Sequence, residues 1–446
     1  MGLQLTSNDQ VLALAPDSSA ASAGKKLAQS KHWKSLGQST EALWGECQGS
    51  GKDPYQVRVD LATLTITCSC PSRKLPCKHA LGLLLLAVDA PKTVAMQEPP
   101  EWVTSWLARR AAASKRKDTK ETHKAPATPP STGQIKNAEK RQVQMTKGLD
   151  QLDLWLYDLV HNGLASVETQ PRAFWENQKA RMVDAQMQGI GNRILRMAEI
   201  PHSSSNWPEK LLAELGKLTL LTHSFRHMQQ LEAALQMDIR QLVGEPIKQE
   251  EVSTLGQTMT DDWLVLGQRV STEDKLRRQS TWMLGVQTGQ EALILQFAFG
   301  MSTFSDVFAP GNHQCADLTF WPGASLQRAR IEARRGEIKP IREHLPGVAT
   351  IEDFLKRVAK TLAHQPWQDR FLCTLRDVTP VYLDKGTHWY IRDTTGAALP
   401  LAKSEDQHWR LLALSGGHPI DFAAEWDGET LLPLGMLLDN TYYLWI

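Results

Sequence analysis

Within twelve positions the chain places Cys68, Cys70, Cys77 and His79 in the string Thr67-Cys68-Ser69-Cys70-Pro71-Ser72-Arg73-Lys74-Leu75-Pro76-Cys77-Lys78-His79-Ala80. This cluster constrains the fold more than any other feature. Cys68 and Cys70 follow an alternating segment, and residues two apart on a strand point to one side. Cys77 and His79 are also two apart, but they precede the apolar run Ala80 to Val88, which reads as a buried helix. Inside a regular helix two residues differ by about 200° of rotation, so both could not face one ion. Cys77 is therefore expected in the turn before the helix. Pro76 favours extended backbone at Leu75, and Pro71 does the same for Cys70.

Three thiolates and one imidazole suit a tetrahedral zinc ion. The four ligands close its coordination sphere and leave no place for an activated water, so the Zn2+ is expected to be structural. Its binding energy then counts as folding energy for residues ~50–90. Three thiolates on a dication leave a net −1, which Arg73, Lys74 and Lys78 are placed to offset. The other cysteines, Cys47, Cys315 and Cys373, are scattered. A disulfide framework spaces its cysteines along a small secreted chain, and a redox pair normally reads C-x-x-C, so a clustered C-x-C with a histidine points to metal. Cys47 is expected to pack in the finger's core.

The C-x-C…C-x-H arrangement, with a strand pair before it and Ala80-Leu81-Gly82-Leu83 after it, resembles a SWIM zinc finger. The family's four ligands fall on Cys68, Cys70, Cys77 and His79. The wider layout, including Trp44-Gly45-Glu46-Cys47, is similar to uncharacterised bacterial SWIM-finger proteins with a long C-terminal region. The resemblance implies zinc binding and a role in binding DNA or protein. The family's usual setting also implies association with an ATPase assembly.

The 446 residues suggest two or three domains. An α+β protein is expected: a small zinc-stabilised ββα finger domain over 1–108, a basic disordered linker over 109–147, a helical bundle over 148–245 and a β-rich α+β domain over 246–446. In the first region, a short helix through Ala28, strands at Leu43 to Cys47, Tyr55 to Leu61 and Leu64 to Thr67, and a helix over 101–110 are expected from alternation, turn residues and caps. Leu149, Leu152, Leu156 and Leu159 form a helical stripe that Trp155 widens, and Arg181 to Met197 and Glu209 to Leu242 continue the helical period. Short apolar segments around Trp263, Thr281, Leu293, Val378, Trp389, Trp409 to Leu414 and Tyr442 read as strands, and Ile351 to Leu362 as a helix.

The net charge of +1 hides an asymmetry. Residues 1–147 hold 21 Lys/Arg against 12 Asp/Glu, and residues 109–147 alone hold 11 against 3. Nucleic acid or an acidic protein surface is the expected partner, with Arg73, Lys74, Lys78, Lys115, Arg116 and Lys117 as candidate nucleic-acid contacts. No run is long and apolar enough for a bilayer, the first residues lack a secretory pattern, and the chain is expected to be cytoplasmic.

Signals for catalysis are sparse. His223 and His227 share a helical face, but the Glu that zinc proteases place after the first histidine is Ser224 here. His313, Cys315, Cys373 and His418 form no motif, and Ser415-Gly416-Gly417-His418 is not a nucleophile elbow. No phosphate loop occurs, and Gly189-Ile190-Gly191 sits in a helical pattern. A non-enzymatic interaction protein is expected. The alternative is an enzyme of unknown reaction with its site in the C-terminal domain.

Overall fold

The computed structural model describes residues 5–445, apart from 6, 17, 50–52, 62–63, 73, 111–131, 246, 274, 301, 303, 384–387 and 403–404. It is an α+β fold of four packed units.

The N-terminal unit is a four-stranded antiparallel sheet in sequence order, β1 (Trp33–Gln38), β2 (Ala42–Cys47), β3 (Tyr55–Asp60) and β4 (Ile66–Cys68). Strand alternation divides its side chains between two faces. Leu43 and Cys47 face α3 (Lys78–Asp89), with α1 (Asn8–Ala13) and α2 (Ser18–Leu27) completing that core. Ala42 and Trp44 face the other way, onto Val103 and Trp102 of α4 (residues 101–110). Arg58 and Arg110 sit over the Trp106 ring at 6.0 and 5.5 Å, which fixes α4 against the sheet. The ββα finger is thus the β3–β4–α3 part of a larger two-faced sheet.

The second unit is a helical bundle: α5 (Thr132–His161), α6 (Arg172–Asp184), α7 (Gln188–Met197), α8 (Trp207–Arg226) and α9 (Ala233–Val243). Leu149, Leu152, Leu156 and Leu159 are all buried in its core. Residues 132–147 were expected in the linker but belong to α5. Ala138, Glu139, Lys140, Arg141 and Gln142 are strong helix formers, and Met145 anchors the segment in the bundle core. Of the expected linker, residues 111–131 lie outside the described residues.

The C-terminal half holds two β units. After the short α10 (Gln249–Leu255), strands β5 (Gln257–Glu273), β6 (Leu276–Gly285), β7 (Glu291–Phe299), β8 (Asn312–Phe320) and β9 (Arg328–Pro340) close a barrel in the order β5-β6-β7-β9-β8. β5 is long and bulged near Val265, so its second half pairs with β6 and its first half with β8. Among the barrel pairings of the described residues, β7–β9 is the parallel one. Trp263, Met283, Ile294, Leu318 and Phe320 fill the interior. A six-stranded antiparallel sheet follows: β10 (Phe371–Leu383), β11 (His388–Arg392), β12 (Ala398–Pro400), β13 (Ile420–Trp426), β14 (Leu431–Leu438) and β15 (Thr441–Leu444). One face carries α11 (Ile351–His364) and α12 (Glu405–Ser415); the other packs on the barrel. Trp409 to Leu414 was expected as a strand and is part of α12. His408, Leu411 and Ser415 are buried at helical spacing, while Trp409 is exposed.

Trp367, in the loop before β10, inserts into the bundle core and donates its indole N–H to the Lys217 carbonyl at 2.8 Å. That contact ties the bundle to the C-terminal half. Among the described residues no helix is long and apolar enough to cross a membrane.

Candidate metal centre

β4 ends at Cys68, the chain turns through Cys70 to Pro76, and α3 begins at Lys78. Cys77 is the N-cap residue, with extended backbone (φ −76°, ψ 167°), so its side chain leaves the axis before helical rotation starts. His79, one residue into the helix, then faces the same point. The turn is pinned to β3 by Ser69, whose N–H donates to the Gln56 carbonyl at 3.0 Å and whose hydroxyl accepts the Gln56 N–H at 2.9 Å. Farther along, the Ser72 hydroxyl accepts the Lys74 N–H at 3.1 Å, and the Leu75–Pro76 peptide is cis.

The three Sγ atoms and one ring nitrogen lie within 4.8 Å of one another. Cys68 Sγ and Cys77 Sγ are each 3.9 Å from His79 Nδ1. A tetrahedron with Zn–S near 2.3 Å and Zn–N near 2.0–2.1 Å has edges of roughly 3.6–3.8 Å. The donor set and its spacing therefore fit one tetrahedral ion, held by Cys68, Cys70, Cys77 and His79 Nδ1. When bound, such an ion joins β4, the turn and α3 into one unit.

Backbone N–H groups face the sulfurs: those of Cys70, Ser72 and Ala80 donate to Cys68, Cys70 and Cys77 respectively. Charge-assisted bonds of this kind favour thiolates. The Cys68 thiol donates to Cys77 and, with help from His79 and the Ala80 N–H, draws Cys77 below the usual thiol range against its burial. The same hydrogen bond, followed by burial, raises Cys68, and burial raises Cys70. Cys77 and His79 are buried, while Cys68 and Cys70 are partly exposed. Cys47 stays in the core, and burial pushes its thiol up to about 11.

Two contributors were not visible in the sequence. The Tyr55 ring lies 4.9 Å from the His79 ring and shields it. The close crossing of α2 and α3 at Gly24 and Gly82 sets the tilt of the helix that bears the ligands. Neither has a motif; both depend on β3 and α2 reaching α3 through space.

Of the candidate cationic residues, Lys78 is exposed and Lys74 half-buried. Both line a cleft of about 580 Å³ between α2 and the metal turn, together with Ser19, Ala23, Tyr55 and His79. Arg73, Lys115, Arg116 and Lys117 lie outside the described residues. The remaining candidates are dispersed. His223 and His227 are exposed at the end of α8, with ring centroids 4.3 Å apart and His227 Nδ1 at 2.9 Å from its neighbour's carbonyl oxygen. His313 pairs with Asp262 at 2.6 Å. Cys373 is buried under α11 in the sheet core, and His418 is exposed in a turn.

Comparison with known families agrees with this geometry. Residues 55–87 match the SWIM zinc finger, which spans β3, β4, the metal turn and most of α3. Residues 140–243 match the SWIM-associated four-helix bundle domain, which covers the bundle from within α5 to the end of α9. The site and the bundle together define a zinc-binding module of the SWIM type. No curated protein matches the chain.

Proposed function

We propose that this chain is a non-enzymatic, zinc-stapled interaction protein that binds nucleic acid through the cationic tract joining finger to bundle. The observation that carries the reading is where the charge lies. Residues 1–108 hold 10 Lys/Arg against 9 Asp/Glu, so the finger unit is close to neutral, whereas residues 109–147, from the end of α4 through the first half of α5, hold 11 against 3, and the joining residues 111–131 alone hold 5 against 2. Such a tract meets phosphates without reading sequence. The closed ligand set supports a structural ion over a catalytic one. Three metal-binding thiols must stay reduced, which favours a cytoplasmic setting.

The test uses the full-length, zinc-loaded protein and a fluorescent duplex in an anisotropy titration at several salt concentrations. Binding should weaken steeply with salt. Replacing Lys115, Arg116 and Lys117 by Gln should lower the log–log salt slope by roughly 2–3, at about 0.9 per phosphate contact. If the wild-type protein binds neither duplex nor single strand at low salt, the reading fails and an acidic protein surface becomes the better partner.

A further inference from the structure

The barrel offers a face that the preceding reading does not use. Five-stranded Greek-key barrels bind oligonucleotides and oligosaccharides across the outside of their second and third strands, which here are β6 and β7.

Half of this outer face is already occupied. Trp282, Leu284 and Leu293 pack against the six-stranded sheet, and the Trp282 indole N–H donates to Glu425 at 2.6 Å. The other half is open. Cross-strand pairs Leu276↔Phe299 and Arg278↔Phe297 put four side chains on one outward surface. Phe297 is 52% exposed, Phe299 65% and Leu276 42%. Two phenylalanines left in water at alternate positions of one strand, beside a half-buried arginine, are not needed to fill the barrel, whose interior comes from Ala292, Ile294 and their neighbours.

The surroundings supply charge. Arg278 feels Arg370 and Arg196 as its nearby cations, with Glu425 and Asp369 as counter-charges. Glu425 is buried and engaged by Trp282 and by Arg370 at 3.6 Å, and Asp369 is taken by Arg196 at 3.5 Å. The Arg278 Nε is buried without a hydrogen-bond partner among the described residues. The strip thus runs from two exposed rings to a cluster of guanidinium groups.

We propose that this half-face is a stacking platform for single-stranded nucleic acid, with Phe297 and Phe299 each taking a base and Arg278, flanked by Arg370 and Arg196, meeting the phosphates. The proposal rests on the nucleic-acid reading above and gives it a second, strand-selective site. Alternate residues of a strand are about 7 Å apart, so the two rings serve successive bases instead of one. Stacking tolerates any base, so the site selects single strands over duplex without selecting sequence.

The test compares the wild-type full-length protein with the Phe297→Ala/Phe299→Ala double variant, using labelled oligothymidylate and a labelled hairpin duplex in the same buffer. The exposed rings can be removed without opening the core, and a melting curve checks this. Each lost stack is worth roughly 5- to 150-fold in affinity, so single-strand binding should fall at least about tenfold while duplex binding by the basic tract stays unchanged. Phe297→Trp should retain or tighten single-strand binding, and Arg278→Gln should weaken it and lower its salt dependence. Unchanged single-strand affinity in the double variant overturns the platform and leaves the basic-tract reading standing, as it would if the face serves a protein. A wild-type protein that binds neither ligand overturns both.

Discussion

Gly82→Ala is the substitution that most sharply tests how the finger is assembled. Gly82 lies in the middle of α3, where alanine normally contributes about 1 kcal/mol over glycine. Here the added Cβ would stand 2.7 Å from Leu27 Cβ and 3.3 Å from the Gly24 carbonyl oxygen. Carbon atoms in contact normally stay about 3.5–4.0 Å apart, so α2 must retreat by roughly 1 Å. The atoms in the way are a Cβ and backbone, not the end of a flexible side chain. The penalty should therefore lie at the upper end of the roughly 1–3 kcal/mol typical of overpacking. The net expectation is a loss of about 1–2 kcal/mol for the finger. Because α3 carries Cys77 and His79, the shift should also weaken zinc retention. Gly216, mid-way along α8, is the internal control: a Cβ there meets nothing within 4 Å. Gly216→Ala should stabilise the bundle by about 0.5–1 kcal/mol. Scanning calorimetry resolves the two units, and competition with a chromophoric chelator reads the metal. If Gly82→Ala stabilises the finger as much as Gly216→Ala stabilises the bundle, the close α2–α3 crossing is refuted.

Two further outcomes concern how the units hold together. Trp367→Ala removes a buried indole from the bundle core and its bond to the Lys217 carbonyl. It should cost about 3–5 kcal/mol and separate the bundle's melting transition from that of the C-terminal half, and a bundle that still melts together with that half would contradict the docking role. Asp238 is buried beside the barrel, accepts the Ala324 N–H at 2.7 Å, and is pushed up by that burial to about 6. The folded state therefore holds this proton more tightly than an unfolded chain, where the group titrates near 3.9. The associated stability is fully present below about pH 4 and is lost as the pH rises through about 6. Denaturation across that window should show wild type losing up to about 3 kcal/mol relative to Asp238→Asn; parallel pH profiles would sink the assignment.

Local patterns carried the metal centre. C-x-C after an alternating segment and C-x-H before an apolar run are short-range features, and helical rotation alone placed Cys77 outside α3, where it is found as the N-cap. The stripe from Leu149 to Leu159 was equally local, and each of its leucines is buried. What failed was either ambiguous or distant. Around Trp409 an apolar run of five or six residues fits a strand as well as a helix; only the burial of His408 and Leu411 against the sheet decides for α12. The barrel depends on β5 pairing with β8, 47 to 63 residues away (Val265 opposite Asn312, Gln257 opposite Phe320), which no periodicity reports. β9 carries Arg328, Arg330, Arg334 and Arg335 on a strand with two buried residues, Ala329 in the barrel interior and Ile338 against the finger's core, so its composition resembles a polar loop. Phe297 and Phe299 lie in the segment read as a strand around Leu293, but their exposure follows only from the barrel's geometry, which turns them outward.

The central claim is that one zinc ion, held by Cys68, Cys70, Cys77 and His79, is part of the folded finger. The most direct measurement is the metal content of the full-length protein, purified under reducing conditions without added metal, beside Cys68→Ser and Cys77→Ser. The wild-type protein should carry one equivalent of zinc. Each variant should lose it together with the finger's melting transition, since metal binding there is folding free energy, while the bundle still melts. A wild-type protein without zinc, or variants that keep a full equivalent and an unchanged melting curve, would contradict the account.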